Sequence, residues 1–444
     1  MAIHHSDLII TGAGPGGLDT AVEASRMGLN VTLIERDSVG GTCLNRGCIP
    51  TKTLAASADA ALAAAEAADF GIELPSWSVD YPRIHARMEE VLARLREGAE
   101  STLGRVTLVR GTARIAATGP SVWVGQEQYT ADRLIIATGS EPATLPIPGA
   151  DLALTSDGML ALTSLPASLV IIGGGVIGME FASIFAALGT QVTVLEACRE
   201  ILPGFDAEVA KRLRSLLTRR GIKVVTDARV SAIETSGVSL RVNYTAKGRE
   251  QSVEAGKVMM AVGRRPVFPE GLDVAEIKYD RRGIITDENF MTSRDRIYAI
   301  GDVNGRCQLA HAATAQGRQV LGLAVNSRCI PSVVFTVPEV AMAGLTEQQC
   351  TERGLFFKVD KALFASNGKA VASGHADGFV KVIADAVGGA ILGIHIIGPH
   401  AGDLIQEGVT AIDNALTAGE LTQDIHAHPT LSETLREACA ALSR

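Results

Sequence analysis

Two cysteines lie five residues apart, at positions 43 and 48, in the segment GGTCLNRGCIPTK. A close cysteine pair in a long chain is typical of redox chemistry or of metal binding. A zinc site would need two further ligands at a familiar spacing, and no second paired-cysteine motif occurs. Two inert core thiols remain possible from the spacing alone. The flanking glycines favour a redox role for Cys43 and Cys48, and we expect no metal.

An alanine-rich helical pattern over residues 51–68 follows the cysteine pair and ends before Gly71 and Pro75. Cys48 therefore lies near a helix N-terminus, where the helix dipole favours a thiolate. Pro50 suits the first helical turn because its missing N–H loses no partner there.

An internal sequence repeat indicates which structural units surround this cysteine pair. An apolar run at residues 8–10 leads into Gly12, Gly14 and Gly17, and a second run at residues 169–172 leads into Gly173, Gly175 and Gly178, each glycine displaced by 161 residues. A further apolar run ends in Glu35 in the first copy and in Glu196 in the second. Both copies match a strand, a glycine-rich turn, a helix, and a strand closed by an acid.

Each copy is typical of a dinucleotide-binding unit. The first glycine permits a tight turn, the second lets the backbone approach a pyrophosphate, and the third lets helix and strand pack closely. The helix N-terminus binds phosphate, and the acid accepts hydrogen bonds from a ribose. Two such units predict two bound dinucleotides.

Composition limits the class of protein. The chain has 444 residues, 47% of them hydrophobic and 20% charged, which is typical of a globular protein of three or four domains. The net charge of -8 argues against non-specific nucleic-acid binding. No apolar run reaches about 18 residues, so we expect no membrane span. The N-terminus lacks signal-peptide features, and we expect a cytoplasmic location.

The predicted fold class is α/β: two Rossmann-like dinucleotide-binding domains followed by a C-terminal α+β domain. We place the domains at residues 1–148, 149–265, 266–332 and 333–444. The element predictions behind this division are helices over residues 83–97 and from residue 309, strands over residues 134–136, 296–300, 379–383 and 390–397, and two C-terminal helices.

The chain resembles the pyridine nucleotide-disulfide oxidoreductases, a family of flavoproteins, over nearly its whole length. The segments that carry the resemblance are GGTCLNRGCIPTK, IIATGS, GGGVIGME, VGRRP, AIGDV, FTVPEVA and HAHPTLSE, in that order. The resemblance implies FAD in the first unit, NAD in the second, a central domain that completes the FAD site, and a C-terminal dimerisation domain. It also implies a homodimer.

The resemblance assigns roles to single residues. Cys43 and Cys48 would form a disulfide that cycles to a dithiol, with Cys43 exchanging with substrate and Cys48 contacting the flavin. Asp302 would hold the FAD ribityl chain, and Lys52 and Glu180 would form an ion pair near the flavin. The FAD-binding positions are Gly12, Gly14, Gly17, Glu35, Arg36, Gly41, Thr42, Lys52, Ala113, Thr138, Gly139, Asp302 and Ala310. The NAD-binding positions are Gly173, Gly175, Val176, Ile177, Gly178, Glu180, Glu196 and Gly263.

His428 and Glu433 match the family's acid/base dyad, which the partner subunit supplies and which exchanges protons with Cys43. The spacing alone favours another interpretation, because Thr430 and Glu433 also form a capping-box pattern. The surrounding HAHPTLSE favours the dyad. His426 and His311 are weaker candidates.

The choice of substrate depends on further residues. Glu196 would accept hydrogen bonds from the 2′-hydroxyl of NAD and repel the 2′-phosphate of NADP. Cys439 stands alone near the C-terminus, where mercuric and high-molecular-weight thioredoxin reductases carry a cysteine pair. The sequence is therefore most similar to the members that oxidise dihydrolipoamide, carried by a separate lipoyl protein of a 2-oxo acid dehydrogenase or glycine cleavage complex.

Three residues depart from the family pattern, namely Leu18, Asp19 and Ala312, and they leave the substrate open. The alternatives are a flavin-dependent NADH oxidase or quinone reductase, another NAD(P)H-disulfide reductase of the family, and a non-catalytic subunit that retains FAD.

Overall fold

The computed structural model describes residues 3–326 and 328–443. The first part of the chain surrounds the first glycine motif. Its elements are β1 (Ile3–Thr11), α1 (Pro15–Arg26), β2 (Val31–Glu35), α2 (Gly41–Arg46), α3 (Cys48–Ala65), α4 (Tyr81–Ser101), β3 (Thr107–Arg110), β4 (Ala113–Ile115), β5 (Ser121–Val124), β6 (Glu127–Ile136) and β7 (Ser140–Pro142). The strands form a sheet in the order β3-β2-β1-β6-β5-β4, in which β1 runs parallel to β2 and β6. Leu8, Ile9 and Ile10 of β1 are fully buried, as a central parallel strand requires.

The second part repeats this plan around the second glycine motif. Its elements are α5 (Ser156–Leu160), β8 (Ser168–Ile172), α6 (Val176–Ala187), β9 (Gln191–Leu195), α7 (Ala207–Arg219), β10 (Lys223–Val225), β11 (Ala228–Ser236), β12 (Ser239–Ala246), β13 (Arg249–Ala255), β14 (Lys257–Met260) and β15 (Arg264–Pro266). A parallel sheet has the order β10-β9-β8-β14, and β11, β12 and β13 form an antiparallel sheet beside it.

The chain then returns to the first sheet. The elements of this stretch are β16 (Tyr279–Asp280), β17 (Gly283–Ile284), β18 (Ile297–Ala299) and α8 (Ala310–Val320). Strand β18 pairs in parallel with β6, and α8 packs on α1. The two helices can approach closely because Gly317 has no side chain; a Cβ there would lie 1.8 Å from Thr20 Oγ1.

The C-terminal part is an antiparallel sheet with helices. Its elements are β19 (Ser332–Val334), β20 (Glu339–Gly344), α9 (Glu347–Glu352), β21 (Phe357–Leu363), α10 (Gly368–Ala372), β22 (Phe379–Asp385), β23 (Ile391–Gly398), α11 (Ala401–Asp413), α12 (Ala418–Leu421) and α13 (Glu433–Leu442). The strand order is β19-β20-β23-β22-β21. The predicted fold class, two parallel α/β units and a C-terminal α+β domain, is confirmed.

Some element predictions were wrong in detail. The helix predicted over residues 51–68 begins three residues earlier, at Cys48, and ends at Ala65, followed by a 3₁₀ helix at Ala67–Phe70. The strand predicted at residues 134–136 is only the end of the ten-residue β6. Two C-terminal helices were predicted, but three follow β23, because a capping box at Thr417 and Glu420 starts the one-turn α12.

A buried ion-pair cluster joins the second part to the C-terminal part. Lys381 of β22 is only 2% exposed, and its Nζ lies 3.0 and 3.1 Å from the two carboxylate oxygens of Asp206. Asp206 is also the N-cap of α7, accepting hydrogen bonds from the backbone N–H groups of Glu208 and Val209. The ammonium of Lys381 also contacts the carboxylates of Glu208 and Glu347.

Candidate redox and nucleotide-binding site

The cysteine pair spans the junction of two consecutive helices, which only Gly47 separates. Cys43 belongs to α2, and Cys48 is the first residue of α3, so it takes the helix N-terminal position that the sequence predicts. The segment lies directly against the first glycine loop, because a Cβ at Gly41 would come within 2.6 Å of Gly14 Cα. The two cysteines therefore lie beside the first dinucleotide unit.

The pKa values of the two thiols are shifted in opposite directions. The hydrogen bond from the Cys43 thiol, assisted by the nearby charge of Lys52, lowers the pKa of Cys48 to about 7 against the opposing effect of burial. The same hydrogen bond, together with burial, raises the pKa of Cys43. When the reduced pair loses its first proton, the negative charge therefore resides on Cys48 and not on Cys43.

The predicted ion pair of Lys52 and Glu180 is present. Lys52 Nζ lies 2.9 Å from each carboxylate oxygen of Glu180, whose side chain is 5% exposed. Phe335 completes the cluster, because its backbone N–H donates to Glu180 at 3.0 Å and its ring lies 4.4 Å from Lys52 Nζ. Sequence reasoning did not single out Phe335, although FTVPEVA was among the segments that carried the resemblance.

The first glycine loop has room for a phosphate group. A Cβ at Gly12 would lie 2.3 Å from the carbonyl oxygen of Ala137, and one at Gly17 would lie 1.9 Å from that of Gly12. Gly14 is different: it is the N-cap of α1, and a Cβ there would meet no atom within 4 Å. The loop is therefore tight at its ends and open at the helix N-terminus, as binding of a pyrophosphate requires.

The second glycine loop repeats this geometry. A Cβ at Gly178 would lie 2.1 Å from the carbonyl oxygen of Gly173, whereas Gly175, the N-cap of α6, has open space around it. Val176 and Ile177 form the first turn of α6, so their backbone N–H groups lie at the same helix N-terminus. Gly263 follows β14 in a positive-φ conformation.

Glu35 and Glu196, the two acids predicted to bind a ribose, are both held by backbone N–H groups. Glu35 accepts hydrogen bonds from Ala13 at 2.6 Å and from Asp37 at 2.8 Å. Glu196 accepts the equivalent bonds, from Gly174 at 2.5 Å and from Cys198 at 2.6 Å. Each carboxylate ties its strand end to its glycine loop and keeps lone pairs for a ribose hydroxyl. The residues of both units thus fit a dinucleotide.

The remaining predicted FAD positions lie around the first loop. Thr138 and Gly139 follow β6, and Asp302 follows the neighbouring parallel strand β18, so the carboxyl ends of the two strands bring them together. Ser140 donates to Asp302 at 2.5 Å and accepts from Arg264 at 2.7 Å. The other positions are Thr42 in α2, Ala113 in β4, Ala310 at the start of α8, and Arg36, which is exposed.

His428 and Glu433 form a pair on the C-terminal segment. His428 Nδ1 lies 3.0 Å from a carboxylate oxygen of Glu433, and the imidazole side chain is 81% exposed. The backbone N–H of Thr430, followed by the contact with His428, lowers the pKa of Glu433. Helix α13 begins at Glu433 with Ser432 as its N-cap, and Thr430 does not cap it through its side chain. Glu433 does accept the backbone N–H of Thr430 at 2.9 Å, which is one of the two bonds of a capping box, so the glutamate both closes the helix start and pairs with His428.

Neither residue of this pair hydrogen bonds to Cys43 or Cys48 within the described part of the chain. Of the weaker histidine candidates, His426 is a buried partner of Glu407 at 2.8 Å. His311 is exposed, with Nε2 2.9 Å from the carbonyl oxygen of Pro331.

Two dinucleotide units, a cysteine pair with one low-pKa thiol, and a separate C-terminal domain define a nucleotide-linked dithiol oxidoreductase. Family models agree: residues 6–317 match "Pyridine nucleotide-disulphide oxidoreductase", and residues 330–439 match its dimerisation domain. The chain belongs to this family.

Among similar proteins, dihydrolipoyl dehydrogenase of Chlamydia pneumoniae is 40% identical, covering 97% of this chain and 95% of that protein. Dihydrolipoyl dehydrogenase of Geobacillus stearothermophilus is 38% identical, covering 98% and 95%. Among solved structures, LpdA of Mycobacterium tuberculosis has a TM-score of 0.89 at 28% identity, covering 98% and 99% of the two chains. The HOCl-induced flavoprotein disulfide reductase RclA of Escherichia coli has a TM-score of 0.87 at 28% identity and the same coverage.

Within residues 3–326 and 328–443, no helix is long and apolar enough to cross a membrane. Within the same residues, no group of three or more His, Cys, Asp or Glu side chains could hold a metal ion. Cys439 is fully buried, and burial raises its pKa to about 12, so it is unsuited to thiol exchange.

Proposed function

We propose that this chain is an FAD-dependent, NAD-linked dihydrolipoyl dehydrogenase. The observation that carries the proposal is the position of the cysteine pair, in a segment that lies against the first glycine loop and is followed by Lys52, the partner of the buried Glu180. The similarity to dihydrolipoyl dehydrogenases at about 40% identity over 97% of the chain supports this substrate over the oxidase and quinone reductase alternatives.

The thiol chemistry follows from the two pKa directions. A thiolate of dihydrolipoamide attacks Cys43 Sγ, the Cys43–Cys48 bond breaks, and Cys48 leaves as a thiolate, which its low pKa favours. The second substrate thiolate then attacks the substrate sulfur of the mixed disulfide. This step releases lipoamide and Cys43, and the enzyme holds two electrons as a dithiol.

His428 of the partner subunit takes the substrate proton, and Glu433 orients its imidazole. Bound FAD would supply the path by which the two electrons reach NAD⁺ as a hydride. Gly12, Gly14, Gly17 and Glu35 would hold FAD, and the Lys52–Glu180 pair would place a charge beside it.

We propose NAD rather than NADP for the second unit. The Glu196 side chain is 6% exposed and is fixed by two backbone hydrogen bonds, so its carboxylate oxygens are held where a 2′-phosphate would lie. Its free lone pairs suit a 2′-hydroxyl.

We propose a homodimer with two composite sites, and a separate lipoyl-bearing protein as the source of substrate. The support is the match to a dimerisation domain and the exposure of His428, whose hydrogen-bond partner among the described residues is Glu433 of its own segment. In addition, an open cleft runs between Ala56 and Ala63 of α3 and His375 of the C-terminal part, where a second copy could pack. We propose that the domains end at residues 148, 265 and 332.

The test is an anaerobic titration of the flavin-loaded protein with dihydrolipoamide while the flavin spectrum is recorded. A long-wavelength thiolate-to-flavin band, with steady reduction of NAD⁺ and little of NADP⁺, is expected. A protein that NADH reduces but dihydrolipoamide leaves unchanged would retain the family and reject this substrate.

A further inference from the structure

Asn45 lies between the two cysteines and is held on every side of its amide. Its Nδ2 donates to the carbonyl oxygens of Gly41 at 2.9 Å and of Val39 at 3.1 Å. Its Oδ1 accepts a hydrogen bond of 2.6 Å from Nε of Arg96, which belongs to α4. The Asn45 side chain, between the two cysteines, is thus hydrogen bonded both to the start of α2 and to the separate helix α4.

Helix α2, which carries Asn45, packs on α3, α4 and α5, but the other side-chain polar contacts of residues 44–46 in the described chain are ion pairs of Arg46 with Asp37 and Asp157. Arg46 pairs with Asp37 at 2.8 Å, but the two side chains are 45% and 50% exposed, and exposed ion pairs constrain weakly. The turn at Val39 and Gly40 is better anchored, because Val39 is buried and Gly40 donates to the carbonyl oxygen of Ala13 in the glycine loop. Asn45 therefore links helix α2 to the turn at Val39 and Gly40, which is itself bonded to the first glycine loop.

We propose that Asn45 and Arg96 are positioning residues that keep the two sulfurs adjacent after the disulfide is reduced, and thereby set its reduction potential. The proposal rests on the proposed redox pairing of Cys43 with Cys48. A disulfide closes the turn covalently, so the oxidised form needs no further restraint. The dithiol form does, because α2 is a six-residue helix that frays readily and is followed by the permissive Gly47, so the thiols can separate.

The sign of the effect follows from that difference. Without the Asn45 bonds the dithiol gains conformational freedom and the disulfide does not, so reduction becomes easier. If the two forms differ by about one hydrogen bond of restraint, the thiol–disulfide equilibrium changes about tenfold, or about 30 mV for this two-electron couple. The Cys48 thiolate would also lose the hydrogen bond from Cys43 that lowers its pKa. Because that bond stabilises the reduced form once Cys48 is ionised, its loss opposes the shift at and above neutral pH, so the midpoints are compared below pH 7.

The experiment equilibrates the flavin-loaded protein in mixtures of reduced and oxidised dithiothreitol and counts free thiols by alkylation and mass spectrometry. Asn45→Ala should move the midpoint about 30 mV more positive, and the thiolate absorbance of its reduced form should titrate at higher pH than in the parent. Arg96→Gln should move both in the same direction by less. Arg94→Gln is the matched control, because Arg94 lies on the exposed side of the same helix.

Flavin content reports whether each variant folds, and Arg96→Gln decides the matter if Asn45→Ala does not fold. An unchanged midpoint and an unchanged thiolate titration in a folded variant would overturn the proposal, as would an equal shift in Arg94→Gln. If the parent forms no Cys43–Cys48 disulfide in oxidised dithiothreitol, the proposed redox pair itself is rejected.

Discussion

Replacing Lys381 by methionine tests the buried joint between the second unit and the C-terminal part. The ammonium is 2% exposed and faces three carboxylates, of which only that of Asp206, at 3%, is also buried. Glu208 and Glu347 are 42% and 43% exposed, so their side chains can turn to water when the ammonium is removed. Removal of the ammonium would therefore leave one buried carboxylate, that of Asp206, without a charged partner.

The expected loss is therefore that of one broken buried pair, about 3–5 kcal/mol of unfolding free energy. Lys361 provides a matched control. It lies opposite Lys381 on the neighbouring strand and also contacts Glu208, but its side chain is 45% exposed. Lys361→Met should cost about 0–1 kcal/mol, because exposed ion pairs contribute little.

The assay is urea unfolding followed by far-ultraviolet circular dichroism, at constant pH and with flavin content measured. The double variant Lys381→Met with Asp206→Asn should recover most of the loss, since asparagine keeps the N-cap acceptor and removes the unpaired charge. A loss below about 1 kcal/mol for Lys381→Met, or a loss equal to that of Lys361→Met, would refute the reasoning.

Three further predictions concern the site. His428→Ala should slow dihydrolipoamide oxidation about 10²–10⁴-fold while sparing NADH-to-dye transfer, with His4→Ala as an exposed control; normal dihydrolipoamide turnover would argue for an oxidase or quinone reductase. Because the pKa of Cys48 lies at about 7, below its ordinary value of 9.0, the thiolate-to-flavin band of the reduced enzyme should be present above neutrality and disappear as pH falls through about 7; a band that titrates near 9 contradicts the assigned pKa. Gly175→Ala should leave folding and flavin content unchanged, since its Cβ meets no protein atom within 4 Å, but raise the KM for NAD⁺ at least about tenfold; an unchanged KM would move the pyrophosphate elsewhere.

The nucleotide units could be predicted because their signals are local. Fixed spacing of glycines and acids determines a turn, a helix start and a strand end within about 25 residues, and such short-range geometry is legible in a sequence. The start of α3 was placed three residues late because Cys48, Ile49 and Pro50 are weak helix formers at interior positions. There the position of Gly47 before the helix decided the boundary.

Other features could not be predicted because they depend on contacts between distant segments. Nothing around Asn45 points to Arg96, 51 residues later, and nothing around Lys52 points to Phe335. Lys381 is similar: in a strand of apolar residues a lysine suggests an exposed edge, yet β22 is a central strand that is buried on both faces. The pairing of His428 with Glu433 was suggested by motif, whereas the spacing alone favoured a helix cap.

The hydrogen bonds of Glu196 have a consequence for redesign of cofactor preference. Removal of this carboxylate would relieve the repulsion of a 2′-phosphate, but the carboxylate also fastens Gly174 and Cys198 before any nucleotide binds. Exchanging it for a small residue would loosen the loop that receives the pyrophosphate, so affinity for both nucleotides would fall together. A successful redesign would first have to replace the lost fastening, for which glutamine retains one acceptor oxygen and no charge.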